Sequence, residues 1–172
     1  ALAAEFGEDN VAAPDLPVTP AAVEELLDGI VAGAIQKSGK NVVLVGTSLG
    51  GFWANYMSYK WQIPCVLVNP SSRPADTISE HVGKSVRNYA TGEAILVTYA
   101  DIAGFAARQK MKSLSLSPAL KTMFLAKDDE VLNYTVALDD INAGTVVIEP
   151  DGGHRFEKHW SKVISAVKDL LS

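Results

Sequence analysis

The chain has 172 residues, about the length of one ordinary domain, and 48% of them are hydrophobic while 20% are charged. This composition is typical of a folded globular protein and excludes disorder as the main state. Twenty acidic against fifteen basic residues give a formal net charge of −5, which disfavours nucleic acid or an anionic membrane surface as the partner. We therefore expect a single domain over residues 1–172.

Cysteine content and hydropathy restrict the class of protein further. Cys65 is the only cysteine, so neither an intrachain disulfide nor a multi-thiolate zinc site can form. No apolar run is long enough to span a bilayer, and the first residues lack the pattern of a signal peptide. These features predict a cytoplasmic protein without a membrane span.

The strongest local patterns alternate between helix and strand. Apolar residues at spacings of three and four predict an amphipathic helix over 20–36, with Thr19 as its N-cap. Short apolar runs without polar alternation predict buried strands at 42–45, 65–68, 121–126 and 145–149. Further helical stretches are predicted at 49–60, 133–140 and 157–171. Strands that alternate with helices indicate a parallel α/β sheet covered by helices.

Two regions carry weaker patterns. An additional strand is predicted near residues 10–13, before a proline-rich turn. Residues 71–118 break every long period, and we expect them to cross the edge of the sheet, with a helix within 95–111.

The pattern G-x-S-x-G occupies residues 46–50, where the strand over 42–45 runs into the helix over 49–60. Ser48 at its centre would have strained backbone angles and a hydroxyl raised clear of the sheet, which is the arrangement of a nucleophile. We expect the two glycines of the pattern to remove Cβ atoms that would clash with the strand and the helix. The backbone N–H of Leu49 would then face a developing oxyanion.

The serine turn and a cluster of polar residues near the C-terminus each have an alternative interpretation, as a phosphate-binding turn and as a metal site. The turn could simply pack closely or hold a phosphate, but neither G-x-x-x-x-G-K-[ST] nor G-x-G-x-x-G occurs. Near the C-terminus, four side chains with metal-binding groups lie within nine residues: Asp151, His154, Glu157 and His159. They lack the H-E-x-x-H spacing, so no metal site and no cofactor are expected.

A serine nucleophile needs a base, and the base needs an orienting acid; after this kind of turn the chain order is Ser, acid, His. His154 follows the strand over 145–149 in a glycine-containing loop, where the base is expected. The turn after the strand over 121–126 offers three acids: Asp128, Asp129 and Glu130. Spacing leaves the three open, with a slight preference for Asp129, and a solvated turn is the alternative for all of them.

Four segments of the chain resemble the YqiA-like esterases, a small family of the α/β-hydrolase superfamily. They are GTSLGGFWA at 46–54, VLVNPSSRP at 66–74, DEVLNY at 129–134 and GGHRF at 152–156. They occur in order and span nearly the whole chain. The resemblance implies an α/β-hydrolase-like three-layer sandwich, whose mostly parallel central sheet is flanked by helices. It also implies that Ser48 is the nucleophile, Asp129 the orienting acid and His154 the base.

The chain departs from this family at its start. Members begin with a short strand and an HGF-type loop that supplies a second oxyanion donor, and no such segment precedes Ala1. We therefore expect an N-terminally incomplete domain that lacks this strand and oxyanion loop. With Leu49 as the lone donor, the rate would fall on the order of a hundredfold or more, so weak or no activity is predicted unless the missing piece is bound.

The combined prediction is a serine hydrolase that cleaves carboxylic esters or thioesters through an acyl-enzyme on Ser48. Its expected partner is a small-molecule acyl ester or acyl thioester. One alternative is a non-catalytic binding protein with the same fold. Another is an acyltransferase that uses the same three residues with an acceptor other than water.

Five further residues remain open between two roles. Phe52 and Trp53, directly after the turn, either line an apolar acyl pocket as substrate-binding residues or pack in the core of the domain. Asn69, Ser71 and Arg73, beyond the strand over 65–68, either touch substrate or shape a turn.

Overall fold

Four parallel strands form the central sheet of the computed structural model, which describes residues 1–87, 92, 94–111 and 120–172. The strands are β1 (Leu44–Thr47), β2 (Cys65–Val68), β5 (Lys121–Ala126) and β6 (Thr145–Glu149). They lie in the order β1-β2-β5-β6, and every neighbouring pair is parallel. All four strands therefore end at the same edge of the sheet.

Helices and one small antiparallel pair of strands lie before, between and after these strands along the chain. The helices are α1 (Leu2–Phe6), α2 (Pro20–Ser38), α3 (Leu49–Trp61), α4 (Pro74–Ser79), α5 (Tyr99–Met111), α6 (Tyr134–Asp140) and α7 (Trp160–Leu171). Short 3₁₀ helices occupy Glu8–Asn10 and Glu157–His159. An antiparallel pair, β3 (Ser85–Arg87) and β4 (Ala94–Leu96), lies apart from the main sheet. None of the helices in these described ranges is long and apolar enough to cross a membrane.

The two faces of the sheet bury alternate residues of the same strands. In β2, Val66 and Val68 pack with residues of α7, whereas Cys65 and Leu67 pack with residues of α3 and α6. Side chains of a strand point alternately to opposite faces, so strands buried on both faces need apolar residues at every position. This explains the continuous apolar runs of β2 and β5, which are buried throughout, and confirms the predicted three-layer arrangement. The prediction of a buried strand is wrong for β6, which lies at the end of the strand order and leaves Val146 and Ile148 exposed.

A further apolar cluster joins α2, α3 and α5 on the outer side of α3. Phe52 and Trp53 are each 2% exposed there, and their rings contact the ring of Phe105 at centroid distances of 5.9 Å. This packing favours the core interpretation of Phe52 and Trp53 over a substrate contact.

Most predicted elements are confirmed, and two differ. The first central strand covers 44–47 instead of 42–45, because Val42 donates to the carbonyl of Lys40 in a local turn and pairing with β2 starts at Leu44. The strand predicted near 10–13 is wrong. Asn10 ends a 3₁₀ turn, where its side chain donates to the carbonyl of Phe6.

The excursion between β2 and β5 contains the predicted helix, α5, which covers the last thirteen residues of the segment 95–111. The serine-rich part of the excursion, 112–118, lies outside the described residues. β1 is the first strand in the sheet order and pairs only with β2 within the described part of the chain.

Candidate active site

The candidate site residues all follow the carboxyl ends of the central strands. Ser48 follows β1, Asn69 follows β2, Asp129 follows β5 within three residues, and His154 follows β6 within five. Because the strands are parallel, these four positions meet at one edge of the sheet. This is the edge at which ligands bind in open α/β sheets.

Ser48 occupies a strained turn between β1 and α3. Its φ and ψ are 52° and −123°, a region that residues with a Cβ atom rarely adopt. Hydrogen bonds on both sides hold this conformation. The Ser48 N–H donates to the carbonyl of Val68 at 3.1 Å, and the Ser48 carbonyl accepts from the N–H groups of Gly51 and Phe52 at 2.9 and 3.2 Å.

The turn depends on two glycines, of which only one was expected. A Cβ at Gly46 would lie 2.1 Å from the carbonyl oxygen of Gly50, and a Cβ at Gly51 would lie 2.8 Å from the Cβ of Pro70. A Cβ at Gly50 would meet nothing within 4 Å. The prediction that Gly50 must lack a Cβ to avoid a clash is therefore wrong. Gly51 has this role instead, because α3 turns Gly51 toward the β2–α4 loop.

Leu49 is the first residue of α3. The N–H groups in the first turn of a helix have no acceptor within the helix, and the helix dipole favours negative charge at this end. The oxyanion role of the Leu49 N–H stays a prediction.

His154 and Asp129 form a direct side-chain pair at this edge. Nδ1 of His154 lies 2.9 and 3.0 Å from the two carboxylate oxygens of Asp129. The Asp129 side chain is 2% exposed and the His154 side chain 18%. One Asp129 oxygen also accepts from the N–H groups of Val131 and Leu132, at 2.8 and 2.9 Å. The carboxylate is thus fixed by its own turn and directed at the imidazole.

The two neighbouring acids bind the main chain of the same loop. Asp128 accepts from the Gly153 N–H at 2.8 Å and from the Gly152 N–H at 3.3 Å. Glu130 accepts from the N–H of His154 at 3.0 Å. The run of three acids is therefore a connection between the β5 turn and the histidine loop, and not simply a solvated turn.

The histidine loop has left-handed backbone angles at several positions. The φ angles of Gly152 and Gly153 are 142° and 60°, and that of Phe156 is 56°. Phe156 is fully buried and packs against Phe124 of β5 at a centroid distance of 5.9 Å. The glycines provide the turn, and the buried ring anchors it, so that His154 is held next to the end of β5.

His159, the other histidine near this edge, binds a different partner. Its Nε2 lies 3.0 Å from both the carbonyl and a carboxylate oxygen of Asp151. The pKa of the Asp151 carboxyl is lowered, mainly by the hydrogen bond from Lys158 and next by the hydrogen bond from His159. His159 thereby stabilises the start of the histidine loop and lies apart from the Asp129–His154 pair.

The structure places Asp129 and His154 in direct contact. Ser48 lies at the same edge of the sheet but does not contact them through a hydrogen bond in the described residues. A shallow cleft of about 280 Å³ lies beside Asp129, lined by Lys127 and residues 129–134.

Asn69 is one of the residues that sequence reasoning left undecided, and its side chain contacts the histidine loop. Its side chain donates to the carbonyl groups of Gly153 and His154 at 3.0 and 3.1 Å. Two sequence signals point to it, its position directly after a buried strand and its place in the segment VLVNPSSRP, but neither identifies its partner, since the contact spans 84 residues.

Solved structures with a similar fold include several α/β hydrolases. Est1E from Butyrivibrio proteoclasticus is 14% identical, with a TM-score of 0.69 over 88% of this chain and 69% of that one. Mouse alpha/beta hydrolase domain-containing protein 10 is 15% identical, with a TM-score of 0.59 over 90% and 71%. An alpha/beta superfamily hydrolase from Oenococcus oeni PSU-1 is 16% identical, with a TM-score of 0.55 over 90% and 76%. At these identities the likeness shows the fold, which is that of the α/β hydrolases.

A family profile gives the sequence relationship. The profile of UPF0227, described as an uncharacterised protein family, matches residues 9–172. This match covers nearly all of the chain and includes all four segments that carried the resemblance. The chain therefore belongs to UPF0227, the YqiA-like family within the α/β hydrolases, as those segments predicted.

Proposed function

We propose that this protein is a serine hydrolase that cleaves carboxylic esters or thioesters, with Ser48 as nucleophile, His154 as base and Asp129 as orienting acid. The observation that carries the proposal is the buried Asp129 carboxylate, 2.9 Å from Nδ1 of His154 at the sheet edge where the strained Ser48 turn lies. A carboxylate at Nδ1 selects the tautomer whose Nε2 can accept a proton.

The reaction would proceed in two acyl transfers. The Ser48 oxygen attacks the carbonyl carbon of the substrate while Nε2 of His154 takes the hydroxyl proton. His154 then gives this proton to the departing alcohol or thiol, and an acyl-enzyme remains on Ser48. Water attacks the acyl group in the second half while His154 takes a proton from it, and His154 then returns this proton to the Ser48 oxygen as the acid product leaves.

The oxyanion formed in each half needs donors at the turn. The N–H of Leu49 is the proposed donor, because it is the first amide of α3 and adjoins the nucleophile. Substrate binding must also bring the Ser48 hydroxyl to Nε2 of His154, and catalytic hydrogen bonds commonly tighten only in the complex with substrate.

The first experiment is labelling with a fluorophosphonate, which reacts with activated serines, followed by peptide mass spectrometry. Wild-type protein should be labelled at Ser48, and Ser48→Ala should not be labelled. Ser58→Ala is the matched control, since Ser58 is a fully buried serine near the far end of α3 and its loss should leave the labelling of Ser48 intact.

Absence of label on Ser48 in folded wild-type protein would contradict the proposal and favour the binding-protein alternative. If Ser48 is labelled, a panel of paired esters and thioesters tests the leaving group. It should include a ferulate ester, because Est1E has been solved with ferulic acid bound. Added alcohol acceptors distinguish hydrolysis from acyl transfer, since a transferase would form a new ester.

A further inference from the structure

Asn69, the residue directly after β2, has a backbone conformation that few residues adopt. Its φ is 42°, in the left-handed region that asparagine tolerates better than most residues. The residue is 2% exposed, and its N–H donates to the carbonyl of Phe124 in β5 at 2.9 Å. The backbone of Asn69 is thus fixed by the sheet.

The side-chain amide of Asn69 joins two segments that are far apart in sequence. Its oxygen accepts from the N–H of Ala126, the last residue of β5, at 2.8 Å. Its nitrogen donates to the carbonyls of Gly153 and His154 at 3.0 and 3.1 Å. Only an amide supplies one acceptor and two donors at the same carbon, so the chemistry of this residue matches all three contacts.

The two residues after Asn69 contact the Ser48 turn. Pro70 lies directly against Gly51, where it leaves no room for a Cβ. Ser71 donates its N–H to the carbonyl of Ser48 at 2.9 Å. The short segment 69–71 therefore touches the histidine loop through its first residue and the serine turn through its other two.

We propose that Asn69 is a positioning residue that fixes the His154 loop relative to the Ser48 turn. The catalytic consequence of this role rests on the proposed function. The acids Asp128 and Glu130 hold the amide side of this loop, and Asn69 holds its carbonyl side. Held on both sides, the imidazole keeps a fixed distance from the serine turn, because segment 69–71 is packed against that turn.

Two variants separate the contacts of Asn69. Asn69→Asp keeps the acceptor for Ala126 and the left-handed backbone but cannot donate to Gly153 or His154. Asn69→Gly adopts the same backbone without added charge and loses all three side-chain bonds. Ser58→Ala, which removes a buried hydrogen bond to the carbonyl of Ile63, controls for a general loss of stability.

Amide hydrogen exchange tests the structural half of the proposal without any activity. In both variants the N–H groups of Gly153 and His154 should exchange faster than in wild type, although their own acceptors are unchanged. The Ala126 N–H should exchange faster only in Asn69→Gly. Ser58→Ala should leave all three amides as in wild type. Unchanged exchange at Gly153 and His154 in both variants would overturn the proposal.

Fluorophosphonate labelling tests the catalytic half. The labelling rate of Ser48 should fall on the order of tenfold to a hundredfold in both variants, since small misplacements of a catalytic group have effects of that size. Faster exchange combined with a wild-type labelling rate would overturn the positioning role. If wild-type protein is not labelled at all, the proposed function fails, and hydrogen exchange alone decides whether Asn69 holds the loop.

Discussion

Asp129 differs from its two acidic neighbours in what its carboxylate touches. Its oxygens face the imidazole of His154, whereas those of Asp128 and Glu130 face main-chain N–H groups. Three adjacent residues with the same charge can thus have separate roles. Electrostatic attraction to the loop as a whole would not distinguish them, but hydrogen-bond geometry does.

Substitution by asparagine separates the roles of two of these acids. Asp129→Asn should slow labelling of Ser48 by roughly 10³-fold or more, because an amide does not select and stabilise the required imidazole tautomer. Asp128→Asn keeps an oxygen that can accept from the Gly153 N–H, so its effect should stay below about tenfold. Rates are measured with the same fluorophosphonate, on variants whose unfolding midpoints have been compared. Equal losses for the two variants would contradict the assignment of Asp129.

At this scale the sequence predicts the type of residue better than its exact partner. Spacing placed three acids at the right turn but left the choice among them open, and the family resemblance selected Asp129. Asn69 could not be assigned from sequence, because its partners at Gly153 and His154 lie 84 and 85 residues away. Only the folded sheet brings these segments together.

At the scale of elements, the serine turn shows which glycine a strand-to-helix junction requires. Gly50 belongs to the G-x-S-x-G pattern but has open space around its missing Cβ, whereas Gly51 lies against Pro70. The pattern describes the sequence of the turn, and the packing of α3 against the β2–α4 loop determines the steric requirement.

Alanine substitution of the two adjacent glycines provides a matched test. Gly51→Ala should lower the free energy of unfolding by about 1–3 kcal/mol, because the added methyl group overpacks the contact with Pro70. Gly50→Ala should be neutral or raise that free energy by up to about 1 kcal/mol, since alanine favours helix. Urea unfolding of the two variants measures both values. A destabilised Gly50→Ala with an unaffected Gly51→Ala would contradict this account of the turn.

The elements themselves were predictable where the pattern was strong. Three of the four central strands have the predicted bounds. In β2 and β5 the apolar run reflects burial along the whole strand, whereas β6 has the predicted bounds although Val146 and Ile148 are exposed. The first strand starts two residues late, since Val42 and Val43 have the same apolar pattern as the strand but precede its pairing with β2. Pairing partners, and not composition, set that boundary.

At the scale of the whole molecule, a polar cluster centred on Glu24 joins the outer helices. Glu24 of α2 accepts from the Tyr56 hydroxyl at 2.8 Å and from Lys60 at 2.6 Å, both on α3. It also accepts from Arg108 of α5. Burial and the hydrogen bond to Glu24 raise the pKa of Tyr56 to about 12. α2 and α5 thus pack on the outer side of α3, the helix that follows Ser48 directly.

Glu24 should make the stability of the fold depend on pH. Burial tends to raise the pKa of its carboxyl, but the hydrogen bonds from Lys60, Tyr56 and Arg108 outweigh burial and lower it. A carboxyl whose pKa is lower in the folded than in the unfolded state adds stability at neutral pH. This contribution is lost as the pH falls through the lowered pKa, because the unfolded chain then binds the proton first.

Glu24→Gln should therefore lower the free energy of unfolding at pH 7 by about 1–3 kcal/mol, the usual size for hydrogen bonds to a charged group. The difference from wild type should shrink in acid, where the wild-type carboxyl is also neutral. Glu25→Gln is the matched control, since Glu25 is the next residue of α2 and is exposed; it should change little at either pH. Urea unfolding at both pH values measures the effect. A Glu24→Gln deficit that stays constant into acid would show that the side chain acts through packing and not through its charge.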